Sequence, residues 1–171
     1  MIFGMIYMVI ERMKYNKFFS PSRKATKELR YYQGQIYMIV LGMNIKENEI
    51  GNIIVNTAVN LHKDLGPGLL ESVYEAILMK LLTKKGLSVQ RQVSVPINYE
   101  GESFDEGFRI DLFIEGKVII ELKSVEKLTN AHKKQLLTYM KLTNTKLGFI
   151  LNFGAGLMKD GIIRTVNGLP D

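Results

Sequence analysis

The chain of 171 residues contains no cysteine and no tryptophan. Without cysteine there can be no disulfide staple, no thiolate metal centre and no cysteine nucleophile, and a reducing cytoplasm fits the composition. Without tryptophan, a two-carboxylate glycosidase lacks the aromatic platform on which a sugar would rest. Long apolar runs are missing too. The opening MIFGMIYMVI is apolar for about ten residues and the later IYMIVLGM for fewer, so neither is long enough to cross a bilayer, and no basic segment precedes the first as a secretion signal requires. No internal repeat or low-complexity tract interrupts the chain.

What is present is an ordinary globular composition, 46% hydrophobic and 23% charged. A single domain of this length buries about 70% of the surface its unfolded chain exposes, enough for a proper core. The formal net charge of +6 invites a nucleic-acid partner, but its distribution is uneven. Residues 1–43 carry seven basic side chains against two acidic ones, which leaves 16 basic and 15 acidic in the other 128 residues. Basicity is therefore mostly a property of the leader. Residues 1–43 are expected to be a basic, apolar appendage. The possible origins are an upstream start codon ahead of a true initiator Met43, a membrane-surface or partner-binding arm, or an arm that touches nucleic acid. Residues 44–171 are expected to form one domain.

From Met43 onward the pattern is regular. Ile50, Ile53, Ile54, Ala58, Leu61 and Leu65 form the stripe of an amphipathic helix that Gly66 ends. After the Gly-Pro-Gly turn, Leu70, Val73, Ile77, Leu78, Leu81 and Leu82 repeat the period up to Lys84, Lys85 and Gly86. SVQRQVSVPI alternates, with Val89, Val93 and Val95 expected on one face of a strand. A turn at Glu100-Gly101 leads to strands over roughly 104–114 and 117–124. NAHKKQLLTYMKLT reads as a helix capped by Thr129 or Asn130, KLGFILNFG as a buried strand, and GIIRTVNG as a last edge strand. The order α-α-β-β-β-α-β-β predicts an α/β (α+β) fold: a central mixed sheet flanked by helices, the third of which makes a crossover.

The stretch RIDLFIEGKVIIELKS, residues 109–124, sets charges inside two apolar strands. Alternation places Ile110, Leu112 and Ile114 on one face of the first, and Val118, Ile120 and Leu122 on one face of the second. Burying both sets in one core requires even-numbered positions to share a face. A two-residue turn at Glu115-Gly116 would break that parity, so a three-residue connection over 115–117 or a bulge is expected. Asp111, Glu121 and Lys123 then converge on the other face. Two carboxylates about 5–8 Å apart repel unless a cation bridges them or one is protonated. Oxygen donors of this kind suit Mg²⁺ or Mn²⁺. The plain alternative is a solvated outer face on which the acids pair with Arg109 and Lys123.

The pattern of Ile-Asp followed ten residues later by Glu-Leu-Lys resembles the signature of the PD-(D/E)XK nuclease superfamily. That resemblance implies a restriction-endonuclease-like core. GLLESVY, with Gly68, Glu71 and Tyr74, is similar to the motif of the GxxExxY family within it, as are HKDLGPGLLESVYE, IIELKSVEKL, QLLTYMKL and NFG. The likeness spans about residues 47–168, and no proline precedes Asp111. It implies a metal-dependent nuclease in which Asp111, Glu121 and Glu71 bind Mg²⁺ or Mn²⁺ and Lys123 assists the attacking water. Gln135 and Tyr139 match a QxxxY element that reaches the site or the nucleic-acid strand. Each has a simpler reading, Glu71 as an acid favoured by its helix dipole and Gln135 with Tyr139 as polar helix surface. His62 and Tyr74 are expected to pack and hydrogen-bond, Glu75, on the same face as Glu71, to be solvated in preference to supporting the site as a further acid, and His132 to play no part. Lys117, Lys127, Lys133, Lys134, Lys141 and Lys146 are the expected contacts to phosphates. Nucleic acid, DNA ahead of RNA, is the implied partner, with no membrane span and with a homodimer left open. The competing reading is a nuclease fold kept as a non-catalytic module that binds nucleic acid or protein.

Overall fold

The computed structural model of the protein describes residues 45–169, and the appendage expected over residues 1–43 lies outside them. The elements follow in chain order: helices α1 (Glu47–Leu65) and α2 (Glu71–Lys84), strands β1 (Val89–Tyr99), β2 (Glu102–Ile114) and β3 (Val118–Lys123), helix α3 (Asn130–Leu142), strand β4 (Leu147–Asn152), the one-turn α4 (Met158–Gly161), and β5 (Ile162–Val166). One five-stranded sheet has spatial order β1-β2-β3-β4-β5, in which only the β3–β4 pair is parallel. Helix α3 makes the crossover that a parallel pair needs. Among the described residues no helix is long and apolar enough to cross a membrane.

Helices cover both faces of the sheet. One core joins Ile50, Ile54, Ala58 and Leu61 of α1 and Leu78 and Leu82 of α2 to Leu112, Ile114, Val118, Ile120, Leu122, Leu147, Phe149 and Leu151. The other sets Leu136, Tyr139 and Met140 of α3 against Val95, Ile110, Ile119 and Ile150. Successive residues of β3 and β4 thus alternate between two cores, which is why both strands read as continuous apolar runs. Each fully buried Leu or Ile here contributes about 1.5–3 kcal/mol.

The β2–β3 connection is the expected three-residue one. Ile114 faces Val118 and Leu112 faces Ile120, with Glu115 and Gly116 at φ 53° and 63° and the Lys117 amide donating to the Ile114 carbonyl over 2.9 Å. Even-numbered side chains from Leu112 to Leu122 accordingly share the first core. Ile110 does not; it packs in the second core, and Val93 and Val95 go with it while Val89 stays with the first. β2 extends past the end of its pairing with β3, and together with its partner β1 it turns over α3, where Phe108 meets Tyr139 with ring centroids 5.0 Å apart. The change of face falls at Gln92, whose φ is 53°, and at the neighbouring Asp111. Pro96 sits at a register shift in β1, an edge strand, the place in a sheet that tolerates a missing N–H.

Two further expectations are corrected. Leu65 is exposed at the end of α1, and so are Leu70, just ahead of α2, and Val73 on it, whereas Tyr74, Glu75, Leu78 and Leu82 are buried. The buried face is rotated because Tyr74 stacks on Phe153 at 4.2 Å and Glu75 goes inward with a cationic partner, described below. Helix α4 was not anticipated, being a single turn within a glycine-rich segment.

Candidate active site

Asp111 and Glu121 lie where β2 and β3 part. The ladder between these strands runs from Ile114–Val118 to Leu112–Ile120. Beyond it, the Leu122 amide donates to Asp111 Oδ2 over 2.8 Å. Glu121 is buried, with 3% of its surface exposed. Lys123, two residues on and hence on the same side of β3, donates from Nζ to Glu121 Oε1 over 2.7 Å. Glu121 Oε2 is buried and has no hydrogen-bond partner.

The electrostatics follow from that burial. Glu121 is pushed up to about 7, first by loss of hydration and then by the Asp111 charge, against the pull of Lys123. Burial likewise raises Asp111, opposed by the Leu122 amide and by Lys123. For Lys123 burial favours the neutral amine, but its hydrogen bond to Glu121 and the charges of Glu121, Asp111 and Glu71 leave its pKa raised. The ammonium is therefore held beside two carboxylates that share one small volume.

Glu71 opens α2 and reaches the same strand end by another route, its Oε1 accepting the Ser124 amide over 2.9 Å. The loop ahead of it is fastened twice. Tyr74 donates its hydroxyl proton to the Gly66 carbonyl at 2.7 Å and accepts the Leu69 amide at 3.2 Å, and Ser124 Oγ donates to the Leu69 carbonyl at 2.8 Å. Gly68, at φ 110°, supplies the backbone conformation this loop needs. The Gly68, Glu71 and Tyr74 motif is thus a device that ties the start of α2 to the end of β3. Asn152, buried at the end of β4, clamps the next residue: Oδ1 accepts the Val125 and Gly154 amides, and Nδ2 donates to the Val125 carbonyl.

Gln135 and Tyr139 do share one side of α3, with Gln135 Nε2 donating to the Tyr139 hydroxyl over 2.6 Å. Tyr139 is buried rather than a surface group, and loss of hydration raises its pKa despite that bond. Glu121, Lys123 and Asp111 are close enough to act on it electrostatically. His62 packs by Phe153 and bonds the Ala155 carbonyl at 2.9 Å, and His132 Nδ1 accepts the Thr129 amide at the start of α3.

Glu75 departs from expectation. It is 5% exposed, and its Oε1 accepts from Arg91 Nε at 2.7 Å and from Gln92 Nε2 at 2.8 Å. Gln92 Nε2 also stands 3.3 Å from Asp111 Oδ1. Glu75 follows Glu71 by one helical turn, and that spacing was the available signal; Gln92 was hidden by the assumption that β1 alternates regularly.

The lysines divide by position. Lys127, Lys133 and Lys134 are exposed on the loop after β3 and the first two turns of α3, at the site end. Lys117 and Lys146 precede the paired residues Val118 and Leu147, at the opposite end of the β3–β4 pair. Lys117 Nζ donates to the Ile45 carbonyl at 2.6 Å, a structural contact.

No three His, Asp or Glu side chains among the described residues are gathered tightly enough to enclose a metal ion alone. The donor set that does fit a divalent cation is the Asp111–Glu121 pair, because Glu121 Oε2 is a buried carboxylate oxygen with nothing bonded to it. Mg²⁺ is commonly held by one or two carboxylates, with waters and phosphate oxygens completing its shell.

A helix-flanked mixed sheet with acid, acid and lysine at one strand end defines a nuclease-like α/β domain. A family model of the PD-(D/E)XK nuclease superfamily matches residues 48–165, and the chain belongs to that superfamily. No curated protein and no solved structure matches it.

Proposed function

We propose that the domain is a metal-dependent nuclease that hydrolyses phosphodiester bonds of nucleic acid, DNA in preference to RNA, with Mg²⁺ or Mn²⁺ as the ion. The observation that carries this reading is Glu121: buried, charged with difficulty, bonded through Oε1 to Lys123, and with Oε2 unpartnered beside Asp111. A purely structural pair would have both carboxylate oxygens satisfied. Asp111 and Glu121 hold the ion, and Glu71 contributes a third carboxylate from the start of α2. The chemistry supplied by such an ion is acidification of an attacking water and neutralisation of charge on the scissile phosphate. Lys123 stabilises negative charge at the phosphoryl group, for which a firmly protonated ammonium is the right form. Gln135, held from behind by the buried Tyr139 hydroxyl, presents a polar edge of α3 to the nucleic-acid strand, and Lys127, Lys133 and Lys134 neutralise its phosphates. The anchored loop bearing Gly68, Glu71 and Tyr74 supports placing the chain in the GxxExxY branch.

A second reading, a non-catalytic binding module, draws on Glu71 being held by the Ser124 amide and not gathered with the other two acids. One experiment separates the two. Purified protein is incubated with single- and double-stranded DNA and RNA and Mg²⁺ or Mn²⁺, beside an Asp111→Ala/Glu121→Ala variant, and Mn²⁺ binding is measured by calorimetry. Cleavage and Mn²⁺ binding by the native chain, both lost in the variant, are expected. Cleavage that survives in the variant overturns the assignment.

A further inference from the structure

We infer that Gln92, anchored on the buried Glu75 carboxylate that the more exposed Arg91 also binds, is a positioning residue that sets the orientation of Asp111. The inference rests on the proposed metal-dependent reading of the site, and it adds a group that neither the acid-acid-lysine signature nor the Gly68, Glu71 and Tyr74 motif contains. Gln92 Nε2 lies 2.8 Å from Glu75 Oε1 and 3.3 Å from Asp111 Oδ1. One NH₂ group has two hydrogens, so it can donate to both carboxylates at once. The side chain cannot be turned round, because its carbonyl oxygen would then face two anions.

The backbone indicates that this contact is held against a cost. Gln92 adopts φ 53° within a strand, a conformation that a non-glycine residue keeps only when its surroundings enforce it. The enforcing partner is Glu75, 5% exposed on α2, whose charge is matched by Arg91 Nε at 2.7 Å. The same hydrogen bond and charge raise the Arg91 pKa. A buried acid with one cation and one amide donor is a rigid post. Through it α2, which also carries Glu71, is connected to Asp111 on β2.

Asp111 is consequently gripped on both oxygens, Oδ2 by the Leu122 amide at 2.8 Å and Oδ1 by Gln92. Each oxygen keeps a lone pair free, so the grip fixes direction without using up the group's capacity to hold an ion. Partners of this kind behind a carboxylate ligand typically change metal affinity by about 10–100-fold when removed. Gln92 touches neither ion nor phosphate; its action passes through Asp111.

The test uses the full chain carrying Gln92→Leu, which keeps the bulk of an exposed side chain and removes both donors, and Glu75→Gln, which keeps an acceptor for Gln92. Two measurements are made. In the metal-free protein, exchange of the Leu122 amide proton is followed by ¹H–¹⁵N NMR; it should quicken about fivefold or more in Gln92→Leu as Asp111 loosens, with the melting temperature unchanged, and much less in Glu75→Gln. Mn²⁺ affinity by calorimetry should fall about tenfold in Gln92→Leu and be largely retained in Glu75→Gln. Leu122 exchange that is identical in Gln92→Leu and the native chain overturns the inference. A native chain that fails to bind Mn²⁺ while Leu122 exchange still responds instead overturns the metal reading and leaves the contact demonstrated.

Discussion

Lys123 Nζ sits 2.7 Å from Glu121 Oε1, while the other oxygen of the same carboxylate is buried with no partner. The lysine therefore offsets only part of the cost of burying Glu121. In the metal-free protein this inverts the usual pH dependence of a carboxylate. Glu121 titrates near 7 when folded, against an ordinary value of 4.5, so between those values the folded state holds a proton that the unfolded state has released. Stability is then highest below about pH 4.5 for this group and is lost as pH rises through 7, by up to about 3 kcal/mol at about 1.4 kcal/mol per pH unit. Asp111, also raised, acts in the same direction. Urea midpoints in EDTA should fall from pH 5.5 to pH 8, and Glu121→Gln should flatten the profile. A native profile that rises over this range would contradict the description of Glu121.

The lysine can be removed in turn. Lys123→Met removes the one cation that contacts Glu121 among the described residues. Breaking a buried pair from one side costs about 3–5 kcal/mol, so at pH 8 the variant should lose about 3 kcal/mol. At pH 5.5 the protonated Glu121 no longer needs the ammonium, and the loss should be below about 1 kcal/mol. Equal losses at the two pH values would show that Lys123 matters through packing of its stem. Nuclease activity should vanish at both.

How far the site could be read from the residues depends on what each inference needed. The convergence of Asp111, Glu121 and Lys123 and the three-residue turn over 115–117 followed from parity, since Leu112, Ile114, Val118, Ile120 and Leu122 have to reach one core. Alternation and the cost of exposing an apolar face are enough to dictate that arrangement. The order of the long elements, α1 to β4 and then β5, was legible for the same reason, whereas the single turn of α4 was not. Ile110 broke the pattern because its face depends on where β3 ends and where α3 lies, which are facts about other segments. Glu75 was hidden more deeply. Its burial is tolerable only because Arg91 arrives from β1, sixteen positions along the chain, and no periodicity on α2 announces a partner elsewhere. Leu70 and Val73 were assigned inward for the complementary reason, that apolar character was counted without knowing which direction Tyr74 and Phe153 would claim.

The loop after β3 gives a test of backbone fit. A Cβ on Gly154 would overlap the Val125 carbonyl oxygen and lie 2.7 Å from the Val125 nitrogen. Gly154→Ala must therefore displace Val125, whose amide is bound by Asn152, and with it Ser124, whose amide holds Glu71. Overpacking of this kind costs about 1–3 kcal/mol, and activity should fall with stability as Glu71 is released. Gly156→Ala, where the added carbon meets nothing within 4 Å, is the control and should leave the melting temperature within about 2 °C. Comparable effects from both would mean that the turn, and not the contact with Val125, is the sensitive feature.

The lysines make a prediction about binding that does not depend on turnover. Lys127, Lys133 and Lys134 stand at the end of the sheet that carries Asp111 and Glu121, whereas Lys117 and Lys146 stand at the other end, with Lys117 already donating to Ile45. Each lysine that neutralises a phosphate contributes about 0.9 to the slope of log affinity against log salt. A Lys127→Ala/Lys133→Ala/Lys134→Ala chain should therefore lose about 2–3 from that slope. A Lys117→Ala/Lys146→Ala chain should keep the native slope, while loss of the Ile45 contact should lower its melting temperature. Fluorescence anisotropy of a labelled DNA duplex, titrated in Ca²⁺ at several salt concentrations, measures both. If the second variant flattened the slope and the first did not, the strand would have to run across the Lys117 and Lys146 end, away from the carboxylates, and the proposed cleavage site would be on the wrong side of the molecule.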